Sequence, residues 1–342
     1  MVHLRAYRGR MPTRPSNRAV SLLILTAFLA LVCCVPVTFA TPIATTLIST
    51  DPPAVAAPHT PETPSASIQP LRVAFIGASA SAGFGCVQRE RRDDTEYSCG
   101  FRLVDMVKLA CPDLKLLTSD MSSGFFFLAP IANGAKAVKR AAEFKPDCVV
   151  AVDFLFWYCY GDDSPDGGPL KNEEQRLVKF EKGLAELDRF KIPLVVGDVP
   201  DMSRAVGRML SASQMPSAET LIKVNARFAA WAKERPNVCM MPLARMQQQL
   251  MNEGVFEHDG KRLVATSAAP LLQRDQLHPT PRGLAGIACA TASALKLAVQ
   301  QSSGVTAAVA PMCEPEPTET FERARGELKP RPKPASPPQS TN

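Results

Sequence analysis

The sequence predicts an α/β fold: a three-layer, doubly wound parallel sheet of about five strands with helices on both faces. Three observations predict it. Five short apolar runs rich in β-branched residues, at 71–76, 114–118, 148–152, 192–196 and 237–243, alternate with segments of helical period. The first run stops sharply at Gly77 and a series of small residues, as a buried parallel strand does where it feeds a turn at the carboxyl edge of a sheet. Prolines crowd into residues 41–70 and 314–338, which leaves 71–312 as the stretch able to build a core, an ordinary size for one domain.

Ahead of that domain, Arg5, Arg8, Arg10, Arg14 and Arg18 precede an uncharged apolar run that ends in Thr38-Phe39-Ala40. This is the layout of an export signal over residues 1–40, and it predicts a secreted or periplasmic protein. The uncharged run continues past Ala40 to near spanning length, so a membrane anchor through 20–40 is the alternative. Pro36 and the Thr-rich continuation favour cleavage. Residues 41–70 are Pro-, Ala- and Thr-rich with little to bury and read as an extended linker. The net charge of +6 comes mostly from the two ends; the core has no basic stripe with interleaved aromatics, which excludes the nucleic-acid-binding class.

Eight cysteines follow the signal, an even number that an exported chain can pair. Cys86 and Cys99 bracket a charged stretch and are the expected disulfide, worth about 3 kcal/mol on the chain-entropy estimate. Cys148 and Cys239 sit in apolar runs and read as small buried hydrophobes. No Cys-x-x-Cys stands beside histidines, so no metal and no cofactor is expected.

After the first strand, residues 85–98 are charged and read as a solvated loop. Phe101, Val104, Val107 and Leu109 follow helical spacing, and Cys111-Pro112 ends that helix. The second strand opens into Ser122-Ser123-Gly124. Residues 135–144 form a basic amphipathic helix, and Lys145-Pro146-Asp147 leads into the third strand. The run Asp153-Phe154-Leu155-Phe156-Trp157-Tyr158 reads as core or as the apolar wall of a substrate cleft, with Asp153, Trp157 and Tyr158 the candidate cleft residues. Loop 161–169, helix 173–190, the fourth strand, helix 217–233, the fifth strand and helix 244–251 follow. Asp259-Gly260 between two alternating runs marks a hairpin in 255–265, and 284–299 is a last, Ala-rich helix. From residue 314 no apolar period remains, and the tail 313–342 is expected to be disordered.

A serine at the end of the first strand needs a base within hydrogen-bond reach. Of the four histidines, His3 and His59 fall in the signal and linker, and His258 sits beside the hairpin turn as an exposed side chain. His278 lies in Asp275-Gln276-Leu277-His278-Pro279-Thr280, just before the last helix. An aspartate three residues before a histidine can fold back to accept its Nδ1–H, leaving Nε2 free for a serine. Ser79 is therefore the candidate nucleophile, His278 its base and Asp275 the group that orients the base.

The stretch Gly77-Ala78-Ser79-Ala80-Ser81-Ala82-Gly83 resembles the first block of the SGNH/GDSL hydrolase superfamily, Gly-Asp-Ser-x-Ser/Thr-x-Gly, with Ala78 in place of the aspartate. Asp275 to Thr280 is similar to the last block, Asp-x-x-His-Pro. The resemblance covers about residues 71–299. It implies a flavodoxin-like fold and a serine esterase that hydrolyses a carboxylic ester through an acyl-serine. It also implies an oxyanion hole from the amide of Ser79 and that of a glycine after the second strand: Gly124, with Gly134 the weaker competitor. The family's third block, Gly-x-Asn-Asp, has no counterpart, since the third strand runs into Asp153 with no asparagine. The Tyr158 phenol, the Trp157 indole and the Asn133 amide are the candidates to fill that gap. A small-molecule or polysaccharide ester is the expected substrate and a monomer the expected state; the lack of a broad apolar surface helix disfavours a membrane-lipid substrate. Two alternatives keep the fold: a catalytically silent glycan-binding module, for which the missing asparagine and Ala78 speak, and an O-acyltransferase using the same serine. Residues 77–85 do not form Gly-x-Gly-x-x-Gly, which argues against a dinucleotide site.

Overall fold

The computed structural model describes residues 69–301 and 315–330; the expected signal and anchor, the linker up to residue 68, Cys313 and residues 331–342 lie outside the described residues. In chain order the elements are β1 (Leu71–Phe75), β2 (Val87–Arg92), β3 (Thr95–Gly100), α1 (Leu103–Ala110), β4 (Leu116–Asp120), α2 (Pro130–Phe144), β5 (Cys148–Ala151), a single-turn α3 (Phe156–Cys159), α4 (Glu174–Leu187), β6 (Leu194–Gly197), α5 (Ala218–Lys233), β7 (Val238–Met241), α6 (Leu243–Glu253), β8 (Val255–His258), β9 (Lys261–Val264), α7 (Pro281–Gln300), α8 (Pro317–Gly326) and β10 (Lys329–Pro330).

The main sheet has the order β4-β1-β5-β6-β7, with every neighbouring pair parallel. Successive side chains of a strand point to opposite faces, and here both faces are covered. Leu71, Val73 and Phe75 pack towards α1 and α7, whereas Ala74 and Ile76 pack towards the α2 and α4 side. Burial on both faces is why these strands read as continuous apolar runs rather than as alternation. The chain leaves β1 towards β4, then returns across β1 to β5, so the strand order reverses at the carboxyl end of β1. Open α/β folds place their ligands at that crevice. The residues after β1 are the Ser79 turn.

Three expectations are corrected. Residues 85–98 are not a bare loop: β2 and β3 form a hairpin whose register runs from Val87 opposite Gly100 to Arg92 opposite Thr95. Most of β2 and β3 stays exposed or half-buried, so no apolar alternation marks them in the sequence. The tail is ordered over 317–330. Helix α8 buries Pro317, Thr320 and Ala324, and Arg323 Nη1 donates to Leu109 O at 2.9 Å. Then β10 pairs with β3, and Arg325 Nε donates to Glu90 Oε1 at 2.5 Å. The residues it buries are small or polar, so they carry no hydrophobic period. The expected Cys86–Cys99 disulfide is absent, and both are free thiols. The hairpin register sets Gln88 opposite Cys99, which leaves Cys86 only a diagonal neighbour turned into the core. Burial pushes the Cys86 thiol up to about 12.

Candidate active site

The turn after β1 is built around one carboxylate. Strand β5 lies beside β1, so Asp153, two residues past the end of β5, stands next to that turn. Its Oδ1 accepts from the Ala78 amide (2.9 Å) and the Ser81 hydroxyl (2.6 Å); its Oδ2 accepts from the amides of Ala80 (2.9 Å) and Ser81 (3.1 Å). Such charge-assisted bonds are among the stronger ones available to a buried turn. They explain Gly77: a Cβ there would lie 2.3 Å from Asp153 Oδ1 and 2.7 Å from Ser81 Oγ. The amide of Ser79 itself has no acceptor among the described residues.

On the other side of Ser79, the loop before α7 folds back on itself. Gln273 N donates to His278 O (2.8 Å) and Thr280 N to Leu271 O (3.0 Å), while Gln276 takes the left-handed conformation (φ 59°) that reverses the chain. Asp275 Oδ1 receives the amides of Leu277 (2.9 Å) and His278 (3.0 Å), and its Oδ2 lies 2.7 Å from His278 Nδ1. His278 Nε2 lies 2.9 Å from Ser79 Oγ. Asp275 thus holds the Nδ1–H tautomer, leaving Nε2 as acceptor for the serine proton. Burial alone would raise the Asp275 carboxyl, but the amide and imidazole of His278 and the Leu277 amide outweigh it and hold the group below its ordinary value. The imidazole is 2% exposed and is covered by Phe84, with ring centroids 4.6 Å apart. Ser79, Asp275 and His278, far apart in the chain, are brought into one hydrogen-bonded line.

Ser79 and His278 border a hollow of about 100 Å³ whose wall includes Gly124, Phe127 and Trp157. The Gly124 loop is tied to the nucleophile turn by Ser123 N donating to Gly77 O (3.0 Å), and the Gly124 amide has no acceptor among the described residues. Trp157 is buried and its Nε1–H is unpartnered. The amides of Ser79 and Gly124 are free donors beside the nucleophile, which is what a developing oxyanion needs, whereas the Trp157 Nε1–H is closed off from solvent.

The other candidates lie elsewhere. Tyr158 packs between α2 and α4: a Cβ on Gly134 would lie 1.9 Å from its Oη, and one on Gly183 2.8 Å from its Cγ. Burial raises its phenol, which faces helix α2 rather than the hollow. Gly134 is thereby a packing glycine inside α2, not an oxyanion donor. Asn133 Nδ2 donates to Phe125 O and Phe126 O, both at 3.2 Å, holding the 3₁₀ turn Phe126–Leu128. Asp153 sits under the serine turn and also lines, with Ser79 and His278, a second space that reaches Met246 and Ile287.

Several residues at the site gave no signal in the sequence reading. Gln273 Nε2 bridges the two catalytic loops by donating to Phe84 O (2.8 Å) and Pro279 O (2.9 Å). Arg176, 1% exposed, donates to the carbonyls of Cys159 and Ser213, while the ammonium of fully buried Lys179 meets Tyr160 O and Asp163. Together they pin the Trp157 turn to the 213–214 segment. Both lie on the face of α4 that carries Phe180, Leu184 and Leu187, so their periodicity was the available clue. Among the described residues no cluster of three His, Cys, Asp or Glu side chains could hold a metal ion.

No protein-family model and no curated protein matches the chain. Similar solved structures include a gut microbial diltiazem-metabolizing enzyme (14% identity, TM-score 0.42, covering 66% of this chain and 47% of that one). They also include an acetyl xylan esterase from Geobacillus stearothermophilus (14%, 0.43, 66% and 94%) and a GDSL-like lipase from Bacteroides thetaiotaomicron (14%, 0.37, 66% and 87%). The chain spans about half the length of the first of these. The flavodoxin-like strand order is read from the sheet itself.

Proposed function

We propose that the protein is a divergent SGNH-type serine esterase that hydrolyses a carboxylic ester through an acyl-Ser79 intermediate. The observation that carries this reading is the line Asp275 Oδ2–His278 Nδ1 (2.7 Å), His278 Nε2–Ser79 Oγ (2.9 Å). In the reading, Oγ attacks the ester carbonyl as its proton passes to Nε2. The carbonyl oxygen becomes anionic in the hollow, facing the amides of Ser79 and Gly124. Collapse breaks the bond to the alcohol oxygen, which takes the proton from Nε2. Water then attacks the acyl carbon by the same proton route and frees Oγ. The basic and apolar N-terminal residues 1–40 support export of the enzyme.

A fluorophosphonate probe tests the reading without choosing a substrate. The full-length chain should label, Ser79→Ala should not, and His278→Ala should label far more slowly. A folded wild-type protein that does not label would leave the catalytically silent binding module as the better reading.

A further inference from the structure

Among the described residues, five large apolar side chains that water reaches gather at the mouth of the catalytic hollow. Phe84, Phe127 and Met209 line the hollow beside Ser79 and His278, yet are 45%, 40% and 43% exposed. Phe125 and Leu128, on the same turn as Phe127, are each 69% exposed. These residues come from three stretches of chain: the loop after the nucleophile turn, the turn after β4, and the segment between β6 and α5. The first two meet, since a Cβ on Gly124 would lie 3.8 Å from Phe84 Cδ2.

The rim is held in place. Phe126 is buried, its ring edge-on to that of Phe154 with centroids 5.6 Å apart, while Phe125, Phe127 and Leu128 stay exposed. Asn133 Nδ2 fixes the carbonyls of Phe125 and Phe126, and Gln273 Nε2 fixes that of Phe84. Neighbouring apolar groups kept in water on a fixed frame mark a binding surface.

A polysaccharide would need hydrogen-bonding side chains around the serine. Beside Ser79 and His278, the polar side chain in the wall of the hollow is that of Gln214, whose Oε1 already accepts the Ser211 amide at 3.0 Å. A protein partner or a second copy seated on the rim would close the route of the ester to Ser79. A lipid surface covers the same side chains and delivers the ester. Arg208, next to Met209, donates to Arg274 O at 3.0 Å, and both arginines are exposed, as contacts to phosphate headgroups require.

Building on the esterase reading, we propose that this rim docks on a lipid surface and that the substrate is a lipid ester whose apolar chains reach Ser79 between Phe84, Phe127 and Met209. The apolar face is a turn and two loops, so no helical stripe in the sequence announces it. The bonds made and broken at Ser79 are those of the esterase reading.

The test uses the full-length protein, labelled with fluorophosphonate in parallel. Phe125→Trp and Ile222→Trp place a reporter on the rim and on α5, where Ile222 is 71% exposed. With vesicles of equal parts phosphatidylglycerol and brominated phosphatidylcholine, emission above the wild-type background should be quenched at 125 and not at 222. Anchoring through residues 20–40 alone would leave both positions unquenched and overturn the proposal, as would equal quenching at both. In kinetics, the rate on tributyrin should step up as it passes from dissolved to emulsified. Phe125→Ser combined with Leu128→Ser should lower the ratio of emulsified tributyrin to dissolved 4-nitrophenyl butyrate turnover by about tenfold. Labelling with no step, or a ratio unchanged in the double variant, would overturn the lipid proposal and leave the esterase reading standing. If neither ester turns over, or the double variant does not fold, the quenching comparison decides. Absence of labelling in folded wild type would remove the esterase reading, and the lipid-ester substrate with it.

Discussion

Asparagine at position 153 would restore a residue of the third block that the sequence lacks, yet the structure predicts that Asp153→Asn weakens the Ser79 turn. The Asp153 carboxylate accepts three backbone amides and one hydroxyl, two on each oxygen. An asparagine has a single oxygen, and its NH₂ must occupy the other place. Turned one way, the NH₂ faces the amides of Ala80 and Ser81; turned the other way, it faces the amide of Ala78. At least one N–H is orphaned in a turn where Ala78 and Ser81 are buried. That costs about 1–3 kcal/mol, and the remaining bonds lose their charge, so a total of about 3 kcal/mol is expected. Urea unfolding with a common m-value measures it, and amide exchange at Ala78, Ala80 and Ser81 should lose protection locally. Activity should fall with the loosened serine. A stability change under about 1 kcal/mol with activity kept or raised would refute the view that the carboxylate anchors the turn.

Other outcomes follow from the same geometry. Burial of Asp198 outweighs the amides it accepts and raises its carboxyl from 3.8 to about 6. Its raised value means that folding is favoured below about pH 4 and that this advantage is lost as pH rises through 6. Asp198→Asn should therefore stabilise the protein at pH 8 by up to ~3 kcal/mol, with the gain gone at pH 4, as thermal melts at the two pH values would show. Arg176→Met strands the carbonyls of Cys159 and Ser213 and should cost about 3–5 kcal/mol in urea unfolding. Ending the chain at residue 313 removes α8, β10 and buried Leu328. The loss should be about 2 kcal/mol, or roughly 4–8 °C in Tm for a domain of this size.

The parallel sheet was legible because its central strands β1, β5 and β6 are buried on both faces, which makes each of them a short apolar run that no helix-period segment imitates. The β2–β3 hairpin and α8 were not legible, because their stability comes from partners distant in the chain. Glu90 meets Arg325 across more than two hundred residues, and nothing near either one announces the other. Cys86 and Cys99 show the same limit from the opposite side: their spacing suggested a bond that the strand register does not bring about.

By itself, the sequence determined the fold class, the place of Ser79 at the carboxyl end of the first strand, and the pairing of Asp275 with His278. These are local matters of period, turn chemistry and a three-residue spacing. Only the tertiary structure decided what surrounds the serine. Asp153 became the anchor of the turn because β5 lies beside β1, and Tyr158 left the site because α3 turns it under α2. The Trp157 indole N–H proved to be a buried donor without an acceptor, which no stretch of chain announces. Hydrogen-bond satisfaction is settled by neighbours in space, so it has no one-dimensional trace.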